Sequence, residues 1–172
     1  MIQYRCNPKG LTKIKGGDIM RKKIFISKKA QKHASKGSFS YSKDGKHQFK
    51  MMGGGHGQEN IDFLKARKIP ANVVFEYDNG VRRGNISVHR RQNHRNGDQQ
   101  CWFPKDWTKR DISNAGRYVM SLKRNKKRQN GKTYWGTHKN VSVGVYTDKG
   151  YVSTIFPNYN QKGERKYVEK EK

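Results

Sequence analysis

The sequence predicts an α+β fold with short N-terminal helices followed by antiparallel β-sheet, and three observations carry that reading. Helical signals come early, over residues 28–36 and 61–68. Alternating strand patterns separated by tight-turn residues dominate the remainder of the chain. No β–α–β rhythm occurs that a parallel sheet would need.

The first helix opens at Ser27, an N-cap residue, runs over Lys28–Lys36 and stops at Gly37. Ile24-Phe25-Ile26 just before it is a short apolar run, read either as an early strand or as an anchor for the helix. Residues 38–52 alternate irregularly, with a turn at Asp44-Gly45 and a His47 that has no evident partner. Ile61–Lys68 reads as a short helix ended ahead of Pro70. Val73–Tyr77, the turn Asp78-Asn79-Gly80 and Val81–His89 form a hairpin, with Ile86 and Val88 on one face. His89 and His94 flank a basic, flexible segment that ends at Asn96-Gly97. Thr108 with Asp111 is a capping box, and Ile112, Ala115, Val119 and Leu122 keep helical spacing behind it. Two last strands, Asn140–Thr147 and Tyr151–Phe156, turn at Asp148-Lys149-Gly150. These elements divide the chain into a basic leader or junction at 1–23, a domain at 24–160 and a charged tail at 161–172.

Charge constrains the partner. The 172 residues hold 39 Lys plus Arg against 13 Asp plus Glu, a formal net charge of +26. An excess of this size points to a polyanion, with nucleic acid the commonest. Nine Tyr, seven Phe and three Trp add stacking surfaces for unpaired bases. No acidic residue occurs from Ile112 to Thr147, which makes that half a candidate phosphate-tracking surface. Two cysteines, Cys6 and Cys101, are too few for a disulfide scaffold and lack zinc-finger spacing. No run reaches the roughly 18 apolar residues of a membrane helix, and no signal peptide is visible.

The stretch that organises the chain is Gly53-Gly54-Gly55-His56-Gly57-Gln58-Glu59-Asn60. Its glycines permit positive φ and close approach of a ligand. A helix N-terminus behind them is expected to offer free N–H groups to a phosphate. A histidine there is well placed for proton transfer, because its unperturbed pKa lies near neutrality. A glycine-rich turn carrying a solvent-facing histidine is the plainer alternative, as a polar surface residue is for His33.

Four segments, in order, resemble the EndoU ribonuclease family, especially the bacterial toxin domains at the C-termini of polymorphic and contact-dependent growth inhibition toxins. They are Lys32-His33-Ala34-Ser35-Lys36-Gly37, Gly54-Gly55-His56, Trp102-Phe103-Pro104-Lys105-Asp106-Trp107, and Asp148 through Pro157 with its closing Thr154-Ile155-Phe156-Pro157. The resemblance spans residues 24–160 and implies a ribonuclease fold of the barnase/EndoU/colicin/RelE type. It implies an endoribonuclease, metal-independent or Mn²⁺-stimulated, that leaves a 2′,3′-cyclic phosphate, with His33 and His56 as general base and acid. Thr154 would add a hydroxyl, and Gly55, Trp102, Phe156 and Tyr159 would bind substrate. The implied partners are RNA, including tRNA, and an acidic immunity protein. The implied setting is the cytoplasm of a target cell, reached as part of a larger secreted or delivered toxin.

The chain departs from the family pattern where a lysine usually precedes the aromatic block. Asp98-Gln99-Gln100-Cys101 stands there instead. Gln100 is the candidate for a neutral hydrogen bond, with Lys105, Arg95 or His94 as candidates for the charge. Phe156 occupies the place of a stacking tyrosine, which keeps the ring and loses the hydroxyl; Tyr159 is near enough in sequence to return it. Two readings from other classes compete: a non-catalytic basic RNA-binding protein, and a DNase with His89 and His94 as metal ligands. The second lacks an ordered Asp, Glu and His set beside them.

Overall fold

The structure is a computed structural model that describes residues 24–41, 49–126 and 129–168. The leader at 1–23, Cys6, the Asp44-Gly45 turn, His47 and residues 169–172 lie outside the described residues. The described part mixes four α-helices with three antiparallel sheets, an α+β fold.

Helix α1 (Lys28–Ser35) starts where Ser27 Oγ accepts the Ala30 amide at 3.1 Å. Ile24-Phe25-Ile26 forms no strand; Ile26 is buried and Ile24 packs against the core, so the run is an anchor. Strands β1 (Ser38–Ser40) and β2 (Lys50–Gly53) pair as a small ribbon, which irregular patterning hides in the sequence. Helix α2 (Gln58–Lys65) begins and ends three residues before the expected span. It begins early because Gly57 takes the N-cap in extended geometry, so Gln58-Glu59-Asn60 is already helical. It ends early because Lys68 adopts a positive φ of 55° and the Ile69 amide turns back to Leu64.

Strands β3 (Ala71–Tyr77) and β4 (Arg82–Ile86) form the expected hairpin. The second strand stops short of His89, because the His89 amide turns back onto the Ile86 carbonyl at 2.9 Å. The segment expected to be flexible then holds a single helical turn, α3 (Gln92–Arg95). Strand β5 (Gln100–Trp102) pairs with β4, and β9 (Arg165–Tyr167) pairs with β3, giving the order β5-β4-β3-β9. The last strand falls inside the stretch expected to be a charged tail.

Helix α4 (Lys109–Ser121) carries the capping box in full: Thr108 accepts the Asp111 amide while the Asp111 carboxylate accepts the Thr108 amide. Its apolar face, Ile112, Ala115, Val119 and Met120, covers the inner face of a three-stranded sheet. That face is supplied by Val141, Val143 and Val145 of β7 (Val141–Asp148) and Ile155 of β8 (Tyr151–Pro157). Each such side chain, fully buried, contributes about 1.5–3 kcal/mol. Strand β6 (Thr133–His138) carries almost no aliphatic signal; Gly136 sits at its centre because α4 crosses there, where a Cβ would lie 2.8 Å from Leu122 Cδ1. A second core of Met51, Leu64, Ile86 and Trp102 lies beneath α2 and the β1–β2 ribbon. The outer face of β6-β7-β8 carries Trp135 and Tyr146, both partly exposed, and it forms one wall of a cleft.

Candidate active site

A helix ends with carbonyls that lack intrahelical partners. At the end of α1 the glycine loop donates to three successive carbonyls: the Gly55 amide to His33 O at 2.9 Å, which also accepts the Gly37 amide at 3.1 Å, His56 to Ala34 O at 2.6 Å, and Gly57 to Ser35 O at 2.9 Å. Asn60 Nδ2 takes the next, Lys36 O, at 2.8 Å. Those three amides are therefore spent on α1 and are not open to a phosphate. What the loop does instead is lock His56 beside His33.

Room for that approach comes from Gly54, whose φ is +72° and whose Cβ, were there one, would lie 2.1 Å from His33 O and 2.9 Å from His33 Nε2. Gly55 is turned away: a Cβ there would strike Met51 Cε and Asn60 Nδ2 at 2.5 Å. It is a packing residue and does not line the cleft.

The cleft is about 730 Å³. His33 from α1, His56 from the glycine loop, His89, and His94 from α3 all line it, four of the chain's six histidines. Every one of these rings is tied through Nδ1. His33 Nδ1 meets Ser38 Oγ at 2.7 Å, and His56 Nδ1 donates to Cys101 O at 2.8 Å. His94 Nδ1 donates to Gln100 Oε1 at 3.2 Å, whereas His89 Nδ1 accepts the Arg91 amide at 3.0 Å. No Nε2 of the four has a hydrogen-bond partner among the described residues. The rings of His89 and His94 stack, with centroids 4.4 Å apart.

Burial pushes the His56 pKa down to about 3, against the Cys101 carbonyl, which raises it; the neighbouring imidazoles lower it further. His89 is brought down to about 4 by burial first and by His94 next. His33 is lowered by burial and then by the Lys29 charge. His94 is lowered by burial, with Gln100 acting in the opposite sense. Neutral imidazoles are thus the resting state, and each offers its Nε2 as its remaining polar atom.

The opposite wall is a grid set by strand register. Thr133, Tyr146 and Thr154 are cross-strand partners in one row; Trp135, Gly144 and Phe156 form the next. Gly144 has no side chain because the Trp135 and Phe156 rings close over it, 5.6 Å apart and edge to face. Phe156 also lies 5.9 Å from the His56 ring. Thr154 Oγ1 is buried without a partner among the described residues. Strict alternation puts Ser153 and Thr154 on opposite faces, yet both line the cleft. The register slips at Tyr146/Thr147, leaving Ser153 without a cross-strand partner as the extra residue of a bulge.

His33, His56, Gln100, Thr154, Phe156 and Tyr159 meet at this cleft; Gly55, Trp102 and Lys105 do not. Trp102 is fully buried in the second core, with Nε1 donating to Asn60 Oδ1 at 3.1 Å, so no base stacks on it. Lys105 is exposed on the loop between β5 and α4. Arg95, the other candidate cation, donates to His89 O at 3.2 Å and does not line the cleft. Gln100 is a brace: its Nε2 donates to Gly55 O at 2.9 Å and, more weakly, to Gly54 O at 3.5 Å, while its Oε1 holds His94, so its amide is turned to the glycine loop. Among the described residues that line the cleft, Arg91 is the one Lys or Arg, and no carboxylate is present. Sequence reasoning missed Arg91, Trp135 and Tyr146; the strand β6, had its alternation been recognised, carries the signal for Trp135.

Over residues 27–159 the chain matches the family described as bacterial EndoU nuclease. Neither a curated protein nor a solved structure matches it.

Proposed function

The chain belongs to the bacterial EndoU nuclease family and is an endoribonuclease, and we propose that it cleaves RNA by transesterification between His33 and His56. The observation that supports this most is the placement of both rings on one cleft, each with Nδ1 engaged and Nε2 unpartnered among the described residues. His56 is the general base. Its Nδ1–H is committed to a carbonyl, so the lone pair is on Nε2, and its low pKa keeps it there at neutral pH. It takes the proton from a ribose 2′-hydroxyl, whose oxygen bonds to the adjacent phosphorus. His33 is the general acid: Ser38 Oγ can accept from Nδ1–H, so the imidazolium is satisfied there while Nε2–H protonates the departing 5′-oxygen. The negative phosphodiester raises the His33 pKa when it binds. The P–O5′ bond breaks, and a 2′,3′-cyclic phosphate and a 5′-hydroxyl result. Each proton transfer contributes on the order of 10²–10⁴-fold.

The required 2′-hydroxyl restricts the reaction to RNA. Among the described residues no three His, Cys, Asp or Glu side chains converge as a metal site. With no carboxylate among the described cleft residues, the cleft lacks the oxygen ligands that a resident Mg²⁺ or Ca²⁺ takes. Phe156 and Tyr159 supply rings for nucleotides beside the cut, and Thr154 supplies a hydroxyl.

The biological reading is a toxin domain, delivered as part of a larger protein, that cuts RNA such as tRNA in the cytoplasm of a target cell. A net charge of +26 supports an acidic immunity protein as the partner that covers the cleft in the producing cell. Purified protein incubated with total RNA in EDTA tests the reaction: new ends carrying cyclic phosphate and 5′-hydroxyl are the expected result. Ends carrying 5′-phosphate, or no cleavage, overturn it.

A further inference from the structure

His33 and His56 provide for the two proton transfers, but attack on phosphorus also places charge on the non-bridging oxygens. Aimed hydrogen-bond donors are the usual way an enzyme stabilises such charge. Gln100 Nε2 is directed at the carbonyls of Gly55 and Gly54, Lys105 is outside the cleft, and three amides of the glycine loop are committed to α1.

We propose that His89 fills this role as a phosphate-oxygen site: a neutral imidazole whose Nε2–H donates to a non-bridging oxygen of the scissile phosphate. This rests on the transesterification reading above. The tautomer follows from one bond. An amide N–H can only donate, so the Arg91 amide at 3.0 Å requires a lone pair on His89 Nδ1, and the proton of the neutral ring then sits on Nε2. His56 and His94, whose Nδ1 atoms face oxygen acceptors, carry the opposite tautomer when neutral. Of the three rings whose tautomer is fixed by a backbone carbonyl, a side-chain amide oxygen or an N–H, His89 is therefore the neutral Nε2–H donor.

The ring is also held for the purpose. It is 3% exposed yet lines the cleft. His94 stacks on it at 4.4 Å, and Gln100 ties His94 to the carbonyl of Gly55, the residue before His56. The donor and the general base thus hang from one hydrogen-bonded frame. The titratable groups facing the ring are His94, Arg91 and Arg95, and a positive charge on any of them disfavours its protonation. A neutral donor is what remains, and the nearby Arg91 side chain supplies the full positive charge in the cleft.

Two substitutions separate this role from a structural one, because each copies one ring nitrogen. His89→Asn keeps an acceptor near the Nδ1 position for the Arg91 amide and removes the donor. His89→Gln places an N–H near the Nε2 position and gives up the local bond. Single-turnover cleavage of RNA, with the melting temperature measured in parallel, is the assay. The expected result is that His89→Asn melts as the wild type does and loses about 10²–10³-fold in rate, whereas His89→Gln melts lower and retains more activity than His89→Asn. A His89→Asn protein that cuts within threefold of wild type overturns the proposal and leaves the nuclease reading standing. So does a His89→Gln protein less active than His89→Asn after correction for the folded fraction. A wild-type protein that cuts no RNA overturns both.

Discussion

His56 Nδ1 lies 2.8 Å from the carbonyl oxygen of Cys101, a residue 45 positions away, and this bond places the proton of the neutral ring on Nδ1 and the lone pair on Nε2. It ties the glycine loop to strand β5, and so links the two halves of the site. Replacing His56 removes the proposed base without touching the many cations that hold RNA. His56→Ala is expected to lose cleavage while its affinity for uncut RNA stays within a few-fold of wild type. Nitrocellulose filter binding beside a cleavage assay measures both, and wild-type cleavage by the variant overturns the assignment.

The low pKa values of His56 and His89 also predict the response of the fold to acid. His56 is near 3 and His89 near 4 when folded, and both titrate near 6.5 when unfolded. Between those values the unfolded chain binds more protons than the folded one, so stability falls as pH falls from about 6.5 towards 4. Above about 6.5 these two rings are neutral in both states and contribute no pH dependence. Melting temperatures measured from pH 7 to pH 4 should decline, and the decline should be shallower in His56→Gln and His89→Asn. A slope unchanged in both variants contradicts the burial of these rings in neutral form.

Much of the domain was legible in the sequence for local reasons. Ser27, the Thr108/Asp111 capping box and the Asp148-Lys149-Gly150 turn each fix an element through neighbouring atoms, and each forms as expected. The features that escaped depend on distant partners. Strand β6 shows little pattern because its residues alternate between a helix-facing side with Gly136 and an outer side with Trp135. Trp102 and Lys105 sit in a motif block that resembles a substrate-binding element, yet one is core and the other solvent-exposed, since short spacing does not specify which side of a turn faces the cleft. Gln100 shows the same limit. It stands where a cation was sought, and only the fold reveals that both ends of its amide are already occupied.

Glycine at position 54 is required for two separate reasons, and a second glycine isolates one of them. Gly54 and Gly150 have similar positive φ, +72° and +76°, but a Cβ meets His33 O at 2.1 Å in the first and nothing within 4 Å in the second. Gly150→Ala therefore adds only the left-handed backbone cost, about 1–2 kcal/mol, and should leave cleavage unchanged once folding is accounted for. Gly54→Ala adds the same cost and also separates the glycine loop from α1. It should lose activity well beyond its loss of stability. Equal activity in the two variants under conditions where both are folded excludes the proposed role of the loop.

Thr154 and Phe156 occupy one face of β8, on adjacent rows of the outer grid, and they should fail in different ways. Phe156 packs edge to face on Trp135 over Gly144 and lies 5.9 Å from His56, so it is both wall and candidate stacking surface. Base stacking is worth about 1–3 kcal/mol, which makes Phe156→Ala roughly 5- to 150-fold slower in kcat/KM if the ring meets a base. Thr154 differs because its hydroxyl is buried with no partner among the described residues. A buried, unpaired hydroxyl costs about 1–3 kcal/mol, so Thr154→Val should raise the melting temperature by about 2–4 °C for each kcal/mol recovered. Where the hydroxyl is instead reserved for a nucleobase edge, the same variant should lose discrimination between bases flanking the cut. Sequencing the cleavage ends from a mixed RNA pool reads that directly. A Thr154→Val protein that is both more stable and unchanged in its cleavage pattern removes Thr154 from the site and leaves its hydroxyl a defect of packing.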